Sequence, residues 1–367
     1  MHVFPSFGQG GVPIRISMLI NHLGAACHHT ILALDGNISC IARIDSDCSV
    51  VTRTPEFNNR NSFGNLFKIR RTLVREHPDI LLTHSWGSIE WVFANQFGRS
   101  CRHIHFESGF NPEEADRQLL RRELVRRVLL RRADRIVVPS KTLEKLALMS
   151  WRAKPSQIEW IPNGVDWRKY SQPPCRDLLP GLVSSPGETI IGTVAPLRTI
   201  KNIARLVRAF SAVTQACPAR LLIVGEGIER ARLAALVEAL GIADRVVFAG
   251  HFEQPELVIG LIDVFAISSD SEQMPNSLLQ AMASGRPIVA TDVGDVADMV
   301  APANRPFVVA KADEAAFSRA LLTLAQQPEL RECLGTMNRV RAQNIYPEEK
   351  MFAAYRRLLA EFFPDLG

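Results

Sequence analysis

One segment in the second half of the chain constrains the fold more than any other. The apolar run at residues 264–267 predicts a buried strand end, and the polar residues 268–273 predict a loop. A short helix follows, with Pro275 at its first position, where a missing N–H group costs nothing. Gly285 predicts a left-handed helix stop, and residues 288–290 open the next strand. This order of elements is typical of parallel α/β sheets.

The start of that helix is chemically suited to a phosphate. A helix that begins just after a strand presents unpaired N–H groups and the positive end of its dipole. Glu272 and Gln280 lie eight residues apart and bracket the helix start. Both side chains accept hydrogen bonds from hydroxyls, so a ligand with a diphosphate between two sugars would fit. The alternative is an ordinary strand-to-helix turn with a solvated Glu272.

Length and composition indicate a soluble globular protein of two domains. The chain has 367 residues, which is long for a single core, and is 47% hydrophobic and 22% charged. It has no apolar run of about 18 residues, so no membrane span is expected. No secretory signal is visible at the N-terminus. Seven scattered cysteines without a Cys-x-x-Cys pair indicate reduced thiols in a cytosolic protein.

Strands alternate with helices through both halves of the chain, which predicts two doubly wound parallel sheets. Residues 29–33 and 40–42 are predicted as short strands of the first half. Ser140 is predicted to cap the helix at 141–149. The proline-rich residues 172–187 predict an interdomain linker, and residues 346–363 predict the last helix.

The segment E-Q-M-P-N-S-L-L-Q-A-M-A-S-G-R-P-I-V-A-T resembles the signature of the family-four retaining glycosyltransferases (glycosyl transferases group 1). That family has the GT-B fold, in which two Rossmann-like domains face each other across a cleft. Glu272 matches the first Glu of the family's Glu-x7-Glu motif. Gln280 stands in place of the second, and Gln273 in place of the usual glycine. The resemblance implies that Glu272 holds the donor sugar and Gln280 the nucleotide ribose.

The resemblance extends over most of the chain. The stretches A-D-R-I-V-V-P-S at 133–140 and I-P-N-G-V-D at 161–166 match the family's first domain. Arg198 and Lys201 lie in a loop that resembles the R-L-x-x-x-K-N loop of the second domain, where two cations can meet a diphosphate. As isolated residues they would be surface charges. The implied domains are 1–172 together with the helix at 346–367, and 173–345.

The resemblance also implies the rest of the donor site. It assigns donor contacts to the end of the strand at 245–250 and to the start of the helix after Glu272. The residues concerned are Gly250, His251, Phe252, Met274, Pro275, Asn276 and Ser277.

The first domain offers candidates for the acceptor or for phosphate. A glycine-rich loop containing Gly8, Gly10 and Gly11 follows the short apolar run 2–4 and precedes a helix. That run is shorter than the family's first strand, so either the strand is trimmed or it starts upstream. Arg15 lies just inside the helix. Trp86 follows a buried strand and either contacts the acceptor or packs against the next helix.

The strand at 102–106 carries two candidate catalytic residues. In the family this strand often ends in His-Gly, with the histidine beside the transferred sugar. Here Ser108 precedes Gly109, so that histidine is absent. Strand alternation puts His105 and Glu107 on the same face, and either could supply the polar group. A histidine at such a place is otherwise a structural residue.

Eight arginines crowd into 19 residues: Arg117, Arg121, Arg122, Arg126, Arg127, Arg131, Arg132 and Arg135. At 100° per residue they spread round a helix, as do Leu119, Leu120, Leu124 and Val128, so no clean amphipathic membrane helix is predicted. The arginines either extend along a half-exposed helix and pair with Glu123, or form a basic face for an anionic membrane or a lipid diphosphate acceptor.

Together these features predict a retaining, metal-independent glycosyltransferase without a cofactor, in the cytoplasm or peripheral at the inner membrane face. Asp45-Ser-Asp47 lies in a polar loop, and no metal is assigned to it. The expected donor is a nucleotide-diphosphate sugar. The expected acceptor is a saccharide or lipid-linked saccharide of bacterial surface polysaccharide synthesis. The alternatives are a GT-B nucleotide-sugar epimerase or hydrolase, and a binding protein that has lost turnover. No basic stripe with interleaved aromatics indicates nucleic acid.

Overall fold

The computed structural model describes residues 1–55, 62–110, 112–114, 119–179, 181–182 and 187–364. The chain divides into two compact units. The first comprises Met1–Asn163 and Met351–Gly367, and the second comprises Gly164–Lys350. The domain boundaries predicted from the sequence, between 172 and 173 and between 345 and 346, differ from these by several residues. Part of the predicted linker, at 180 and 183–186, and Arg117 of the arginine-rich segment lie outside the described residues.

The first unit is built on a seven-stranded parallel sheet with the order β3-β2-β1-β4-β5-β6-β7. Its strands are β1 (His2–Phe4), β2 (His28–Ala33), β3 (Ser49–Arg53), β4 (Ile80–His84), β5 (Arg102–Phe106), β6 (Arg135–Val138) and β7 (Ile158–Trp160). Its helices are α1 (Gly11–Leu23), α2 (Ser62–Glu76), α3 (Ile89–Gln96), α4 (Leu120–Leu129) and α5 (Lys141–Met149).

The last helix of the chain completes the core of the first unit. α1 is buried along the side that carries Ile16 and Ile20, residues spaced one helical turn apart. Tyr355 and Leu358 belong to the same apolar cluster, and each is 1% exposed. The chain therefore returns to the first unit because the final helix, which begins at Glu348, buries its apolar face there.

The second unit is built on a six-stranded parallel sheet with the order β10-β9-β8-β11-β12-β13. Its strands are β8 (Thr189–Val194), β9 (Ala219–Val224), β10 (Val246–Gly250), β11 (Val264–Ile267), β12 (Ile288–Thr291) and β13 (Val308–Val309). The remaining helices are α6 (Trp167–Tyr170), α7 (Ile203–Thr214), α8 (Arg230–Ala239), α9 (Glu256–Ile259), α10 (Asn276–Ala283), α11 (Val296–Met299), α12 (Glu314–Gln326), α13 (Pro328–Ile345) and α14 (Glu348–Ala360).

The predicted α/β alternation is confirmed, with three local corrections. Residues 40–42 form no strand but part of a 3-10 helix, Ser39–Arg43, and the next strand is β3. Pro275 precedes α10 as its N-cap residue rather than occupying its first helical position. β13 was not predicted, because a two-residue strand carries no alternation. Gly285 has the predicted left-handed backbone, with φ of 70°, and Ser140 Oγ accepts a hydrogen bond from Leu143 N at 3.1 Å.

Each sheet reverses its strand order at one place. In the first sheet this switch point lies between β1 and β4, and in the second it lies between β8 and β11. At a switch point the loops that leave the two strands run in opposite directions, which opens a crevice at the carboxyl ends of the strands. The loops after β8 and β11 are therefore the first place to look for a site.

A group of buried histidines lies within the first sheet. His2 Nε2 is 3.1 Å from His29 Nδ1, and His2 Nδ1 is 3.3 Å from His84 Nε2. Burial lowers the pKa of His29 to about 4 and holds the pKa values of His2 and His84 well below the usual range. Burial also lowers the pKa of His103 to about 3. These rings are neutral in the folded protein at neutral pH.

This arrangement predicts that the first unit loses stability in mild acid. The histidines of the unfolded chain take up protons below pH about 6.5, whereas the folded rings remain neutral until much lower pH. The unfolding free energy therefore falls as the pH drops from about 6.5 towards about 4, by up to about 1.4 kcal/mol per pH unit for each such histidine.

His29 and its exposed neighbour His28 provide a matched test. The unfolding free energy of the first unit can be measured by urea unfolding at several pH values. In His29→Gln its dependence on pH is expected to be less steep, by about 1.4 kcal/mol per pH unit. His28→Gln should keep the slope of the unsubstituted protein. An unchanged slope in His29→Gln would contradict the assignment of a neutral buried ring.

Candidate functional site

The switch point of the second unit brings two predicted site residues into contact. Lys201 follows β8 and Glu272 follows β11, and Lys201 Nζ lies 2.5 Å from Glu272 Oε1. Ser269 Oγ donates a second hydrogen bond to the same oxygen, at 2.7 Å. The two charged side chains remain 20% and 11% exposed, so both can be reached from solvent.

Arg198 lies in the same loop but is held differently. It is the N-cap residue of the 3-10 turn Thr199–Lys201, and its side chain is exposed. Across the part of the chain that the structure describes, the guanidinium of Arg198 makes no hydrogen bond or ion pair. A cation of this kind is available to an anionic ligand at little cost, since no existing ion pair must be broken.

Asp270 joins the loops that leave β8 and β11. Its backbone N–H donates to Ile200 O at 2.8 Å. Its carboxylate accepts hydrogen bonds from Asn202 Nδ2 at 3.1 Å and from Arg205 Nη2 at 2.8 Å. Asn202 has a left-handed backbone, with φ of 42°, and its side chain also caps α7. These contacts fix the loop on which Lys201 is carried.

Glycines let neighbouring loops approach the same edge. A Cβ atom on Gly225 would lie 1.9 Å from Ala195 O, and one on Gly227 would lie 2.4 Å from Leu197 O. On the other side, a Cβ atom on Gly294 would lie 2.3 Å from Glu272 O. The loops that carry Arg198 and Glu272 are thus packed against backbone that only glycine can provide.

The remaining donor-side residues surround the start of α10 or follow β10. Met274 and Pro275 are buried, while Asn276 and Ser277 are half-exposed at the first turn of the helix. No side chain caps this N-terminus. Gln280 is half-buried one turn further along the same helix.

The end of β10 lies beside the end of β9. Gly250 O accepts a hydrogen bond from Gly225 N at 2.7 Å, and Gly250 has a positive φ of 76°. His251 is exposed, whereas Phe252 is half-buried against the apolar core. These residues therefore reach the same edge as Arg198, at a strand two places away from β8.

In the first unit, Arg15 is buried rather than exposed to solvent. It is 5% exposed, and its guanidinium donates to Asn163 Oδ1 and, at 2.8 Å, to Ser108 Oγ. Ser108, which replaces the family's histidine, therefore serves as a partner of Arg15.

The glycine-rich loop precedes α1. Gly10 is the N-cap residue of the helix, and no side chain caps this N-terminus. Gly8 is buried, and Gly11 is exposed as the first residue of α1. None of the three glycines has a positive φ. The helix start is thus open to an anion, although the loop conformation does not itself require glycine.

His105 and Glu107 lie together in the interior of the first unit. Both side chains are fully buried, and His105 Nε2 is 3.9 Å from Glu107 Oε2. His105 Nδ1 lies 2.9 Å from Thr83 Oγ1, and Arg126 Nε donates to Glu107 Oε2 at 3.3 Å. Among the described residues, Glu107 Oε1 and His105 Nε2 have no hydrogen-bond partner. A catalytic role for either residue stays a prediction.

Trp86 is half-buried beneath α4. The guanidinium carbons of Arg126 and Arg122 lie 4.9 and 5.4 Å from the centre of its ring. Arg126 also donates to Glu114 Oε1 at 3.0 Å, and Arg122 donates to Glu114 Oε2 at 3.1 Å. Trp86 therefore packs against two arginines of α4 and keeps part of its ring exposed, and its contact with an acceptor stays a prediction.

The sequence expectation for the arginine-rich helix is wrong in one respect. Leu120, Leu124 and Val128 do not spread round α4 but lie along one exposed stripe, and they are 69%, 58% and 59% exposed. Arg126 and Leu129 are buried on the opposite side. The helix therefore has an apolar outer stripe, and its inner side is held by a buried arginine. The expected pairing with Glu123 is made by Arg127, at 3.2 Å.

Sequence reasoning missed the residues that support the site. Asp270, Ser269 and Asn202 hold the loops of Lys201 and Glu272, and none was singled out. Asn202 was detectable as an N-cap type residue just before an apolar helical repeat. The close packing of Gly225 and Gly227 against the loop after β8 was also missed. Asp270 carries no local signal, because the partners of its carboxylate lie 65 and 68 residues away.

Solved structures with the same architecture are glycosyltransferases of the GT-B type. The sucrose-phosphate synthase of Thermosynechococcus elongatus superposes with a TM-score of 0.82 at 22% identity, with 99% of each chain covered. HepE of Anabaena, solved in complex with UDP-glucose, superposes with a TM-score of 0.80 at 15% identity, covering 98% of this chain and 99% of HepE. The fold is therefore GT-B.

The family follows from the sequence matches. The model of glycosyltransferase family 4 matches residues 9–169, and the model of glycosyl transferases group 1 matches residues 188–327. The chain belongs to these glycosyltransferases. It is 26% identical to the N-acetyl-alpha-D-glucosaminyl L-malate synthase of Bacillus anthracis, over 58% of this chain and 56% of that protein.

A second relative is the 2-deoxystreptamine N-acetyl-D-glucosaminyltransferase of Streptomyces fradiae, 28% identical over 69% of this chain and 63% of that protein. The chain thus spans less than two thirds of the length of both relatives. Within its described residues, no helix combines the length and the apolar character needed to cross a bilayer.

The packing of Gly225 predicts a large cost for a single methyl group. Gly225→Ala should lower the unfolding free energy of the second unit by about 3 kcal/mol, because the positive φ and the contact with Ala195 O add to each other. Gly241→Ala is the control, since Gly241 has a φ of 66° but nothing within 4 Å of its added Cβ atom. That control should lose only about 1 kcal/mol. Urea unfolding followed by amide exchange in β8 and β9 measures both values, and equal losses would contradict the close approach.

Proposed function

We propose that the protein is a retaining, metal-independent glycosyltransferase that takes its sugar from a nucleotide-diphosphate donor. The observation that carries this proposal is the grouping of Arg198, Lys201 and Glu272 at the switch point of the second sheet, with the uncapped start of α10 directly after Glu272 in the chain. Membership of the family supports the reaction class. The solved complexes of HepE with UDP and with UDP-glucose make a UDP-sugar the first donor to test.

The proposed role of the cations is to stabilise the leaving group. As the bond between the sugar's anomeric carbon and the phosphate oxygen breaks, negative charge accumulates on the diphosphate. Arg198, Lys201 and the N–H groups at the start of α10 would stabilise that charge without a metal ion. The acceptor hydroxyl forms the new bond on the face that the diphosphate leaves, and its proton passes to the departing phosphate oxygen.

Glu272 and Lys201 have complementary roles in this proposal. In the structure they pair with each other, and Ser269 supports the carboxylate. A lysine ammonium has three N–H donors and a carboxylate has several acceptor positions, so both can keep this contact and still bind a ligand. Glu272 would accept hydrogen bonds from the donor sugar's hydroxyls while Lys201 donates to phosphate.

The proposed acceptor is a hydroxyl of a saccharide or lipid-linked saccharide in bacterial surface polysaccharide synthesis. The acceptor side would include the start of α1 and the exposed part of Trp86. The exposed stripe and arginines of α4 support a lipid-linked acceptor and a peripheral position at the inner membrane face.

Two other functions would give different results. A GT-B epimerase or hydrolase would release an epimer or free sugar without any acceptor. A binding protein that has lost turnover would be stabilised by a nucleotide but would transfer sugar to nothing, and the replacement of Glu by Gln280 motivates this alternative. Thermal unfolding with UDP, GDP, ADP and CMP, followed by product analysis with the matching sugar nucleotides, separates these cases.

Arg198→Ala tests the phosphate role with little structural disturbance. The side chain is exposed and holds no partner among the described residues, so its removal should leave stability unchanged. The value of kcat is expected to fall by about 10²- to 10³-fold, because one fixed cation at the leaving group is lost. Arg319→Ala, an exposed arginine on α12, is the control. A kcat close to that of the unsubstituted protein in Arg198→Ala would overturn the role.

Gln280→Glu tests the ribose contact. A carboxylate accepts both protons of a diol, whereas an amide offers one acceptor and one donor group. The substitution is expected to tighten nucleotide binding by about 10-fold, consistent with a charge-assisted hydrogen bond in place of a neutral one. Calorimetric titration with the nucleotide that gives the largest thermal shift measures this change, and an unchanged affinity would remove Gln280 from the ribose site.

A further inference from the structure

The outer stripe of α4 is unusual for a surface helix. Leu120, Leu124 and Val128 are spaced four residues apart, so they lie within an arc of about 80°. All three are more than half exposed. Arg121 lies beside them and is also exposed. A continuous apolar stripe flanked by cations is the pattern of a helix that lies on a lipid surface.

A basic pocket lies where α4 ends. It has a volume of about 470 Å³, and its lining includes Arg99, Arg131, Arg132 and Asp134. Asp134 is already paired, since its Oδ1 accepts from Arg99 Nη2 at 2.6 Å and from Arg102 Nη1 at 2.8 Å. Arg131 and Arg132 are exposed, and neither guanidinium has a partner among the described residues. The pocket therefore carries an excess of positive charge.

The stripe and the pocket form one continuous surface. Gln96 Nε2 donates to Leu129 O at 2.5 Å, which ties the end of α3 to the end of α4. Phe97, the next residue, is 59% exposed and precedes Arg99 on the pocket wall. Val128 lies one turn before the two arginines of the pocket. Apolar side chains thus border the cations directly.

We propose that this surface docks the first unit on a membrane that contains anionic phospholipid. The stripe of Leu120, Leu124 and Val128 enters the boundary between headgroups and acyl chains, and Arg99, Arg131 and Arg132 bind lipid phosphate. The charge complementarity of the pocket and the apolar stripe beside it favour a lipid over a soluble anion, which would use only the cations. This proposal rests on the proposed function, for which it names the site of membrane contact.

The direction of α4 determines which edge of the sheet each end of the helix reaches, and this bears on where an acceptor in the membrane would lie. β5 and β6 are parallel neighbours, so the helix between them runs from the carboxyl edge of the sheet to its amino edge. The pocket therefore lies at the amino edge, whereas Arg122, which contacts Trp86, lies towards the carboxyl edge. A membrane along α4 would bring lipid-linked hydroxyls to the edge where Trp86 lies.

Vesicle flotation of the full chain tests the surface. Vesicles of phosphatidylcholine alone are compared with vesicles that also contain phosphatidylglycerol, at low and high salt. Binding is expected only with phosphatidylglycerol and should weaken as salt rises. Arg131→Ala/Arg132→Ala should lower the partition coefficient about 30-fold, since each arginine near an anionic surface contributes about fivefold. Leu124→Ser should weaken binding at both salt concentrations, because apolar insertion is not screened.

The control removes the same charge elsewhere. Arg232→Ala/Arg319→Ala takes two exposed arginines from the second unit and should leave flotation unchanged. Equal losses in both double variants would show that net charge alone drives binding and would overturn the docking surface. So would unchanged flotation in Arg131→Ala/Arg132→Ala. Stabilisation by inorganic phosphate that these substitutions abolish, without any vesicle binding, would assign the pocket to a soluble anion instead.

Activity separates this proposal from the proposed function. Transfer of the sugar to a water-soluble acceptor should be equal in all these variants, since none alters a residue of the donor site. Turnover without vesicle binding would overturn the docking surface alone. Vesicle binding without turnover of any sugar nucleotide would support the docking surface and overturn the proposed function.

Discussion

The carboxylate of Asp270 supports the whole candidate site of the second unit. It holds Asn202 and Arg205 from the loop after β8, while its own backbone holds Ile200. An ion pair between Lys201 and Glu272 would be worth little if each side chain stood on an independent loop, because ordering both would cost entropy. Here the two loops are already joined, so the cation and the carboxylate face a ligand in a fixed arrangement. The site is thus preorganised by residues that need not touch a substrate.

Much of the fold was predictable because its signals are local. The end of β11 follows from an apolar run that meets polar residues, Ser140 has the pattern of an N-cap, and Gly285 has that of a helix stop. Each such signal depends on residues within about one helical turn, so a single sequence suffices to read it. The loops around Lys201 and Glu272 were identified by their resemblance to the motifs of the family.

What sequence could not predict depends on distant partners. The periodicity of α4 does not indicate which side of the helix packs against the sheet. In the structure Leu120 and Leu124 lie on the side that is exposed to solvent. His105 and Glu107 lie close together, as expected from a shared face, but Glu107 also pairs with Arg126, which lies 19 residues further along the chain, on α4. The segment at Ser39–Arg43 was apolar enough for a strand, yet it contacts α1 rather than a neighbouring strand. In each case tertiary contacts overrode the local preference.

The two sides of α4 are subject to different constraints. Arg126 lies among the rings of Trp86, Phe110 and Trp151 and neutralises buried carboxylates, so a lysine could not replace its planar, bidentate group. The outer residues contribute nothing to that core. Substitutions there can change what the surface adheres to without refolding the domain. Only the outer side of the helix is therefore free to change: descendants of this chain could gain or lose affinity for a membrane by exchanging a few outward side chains, while the fold beneath stays as it is.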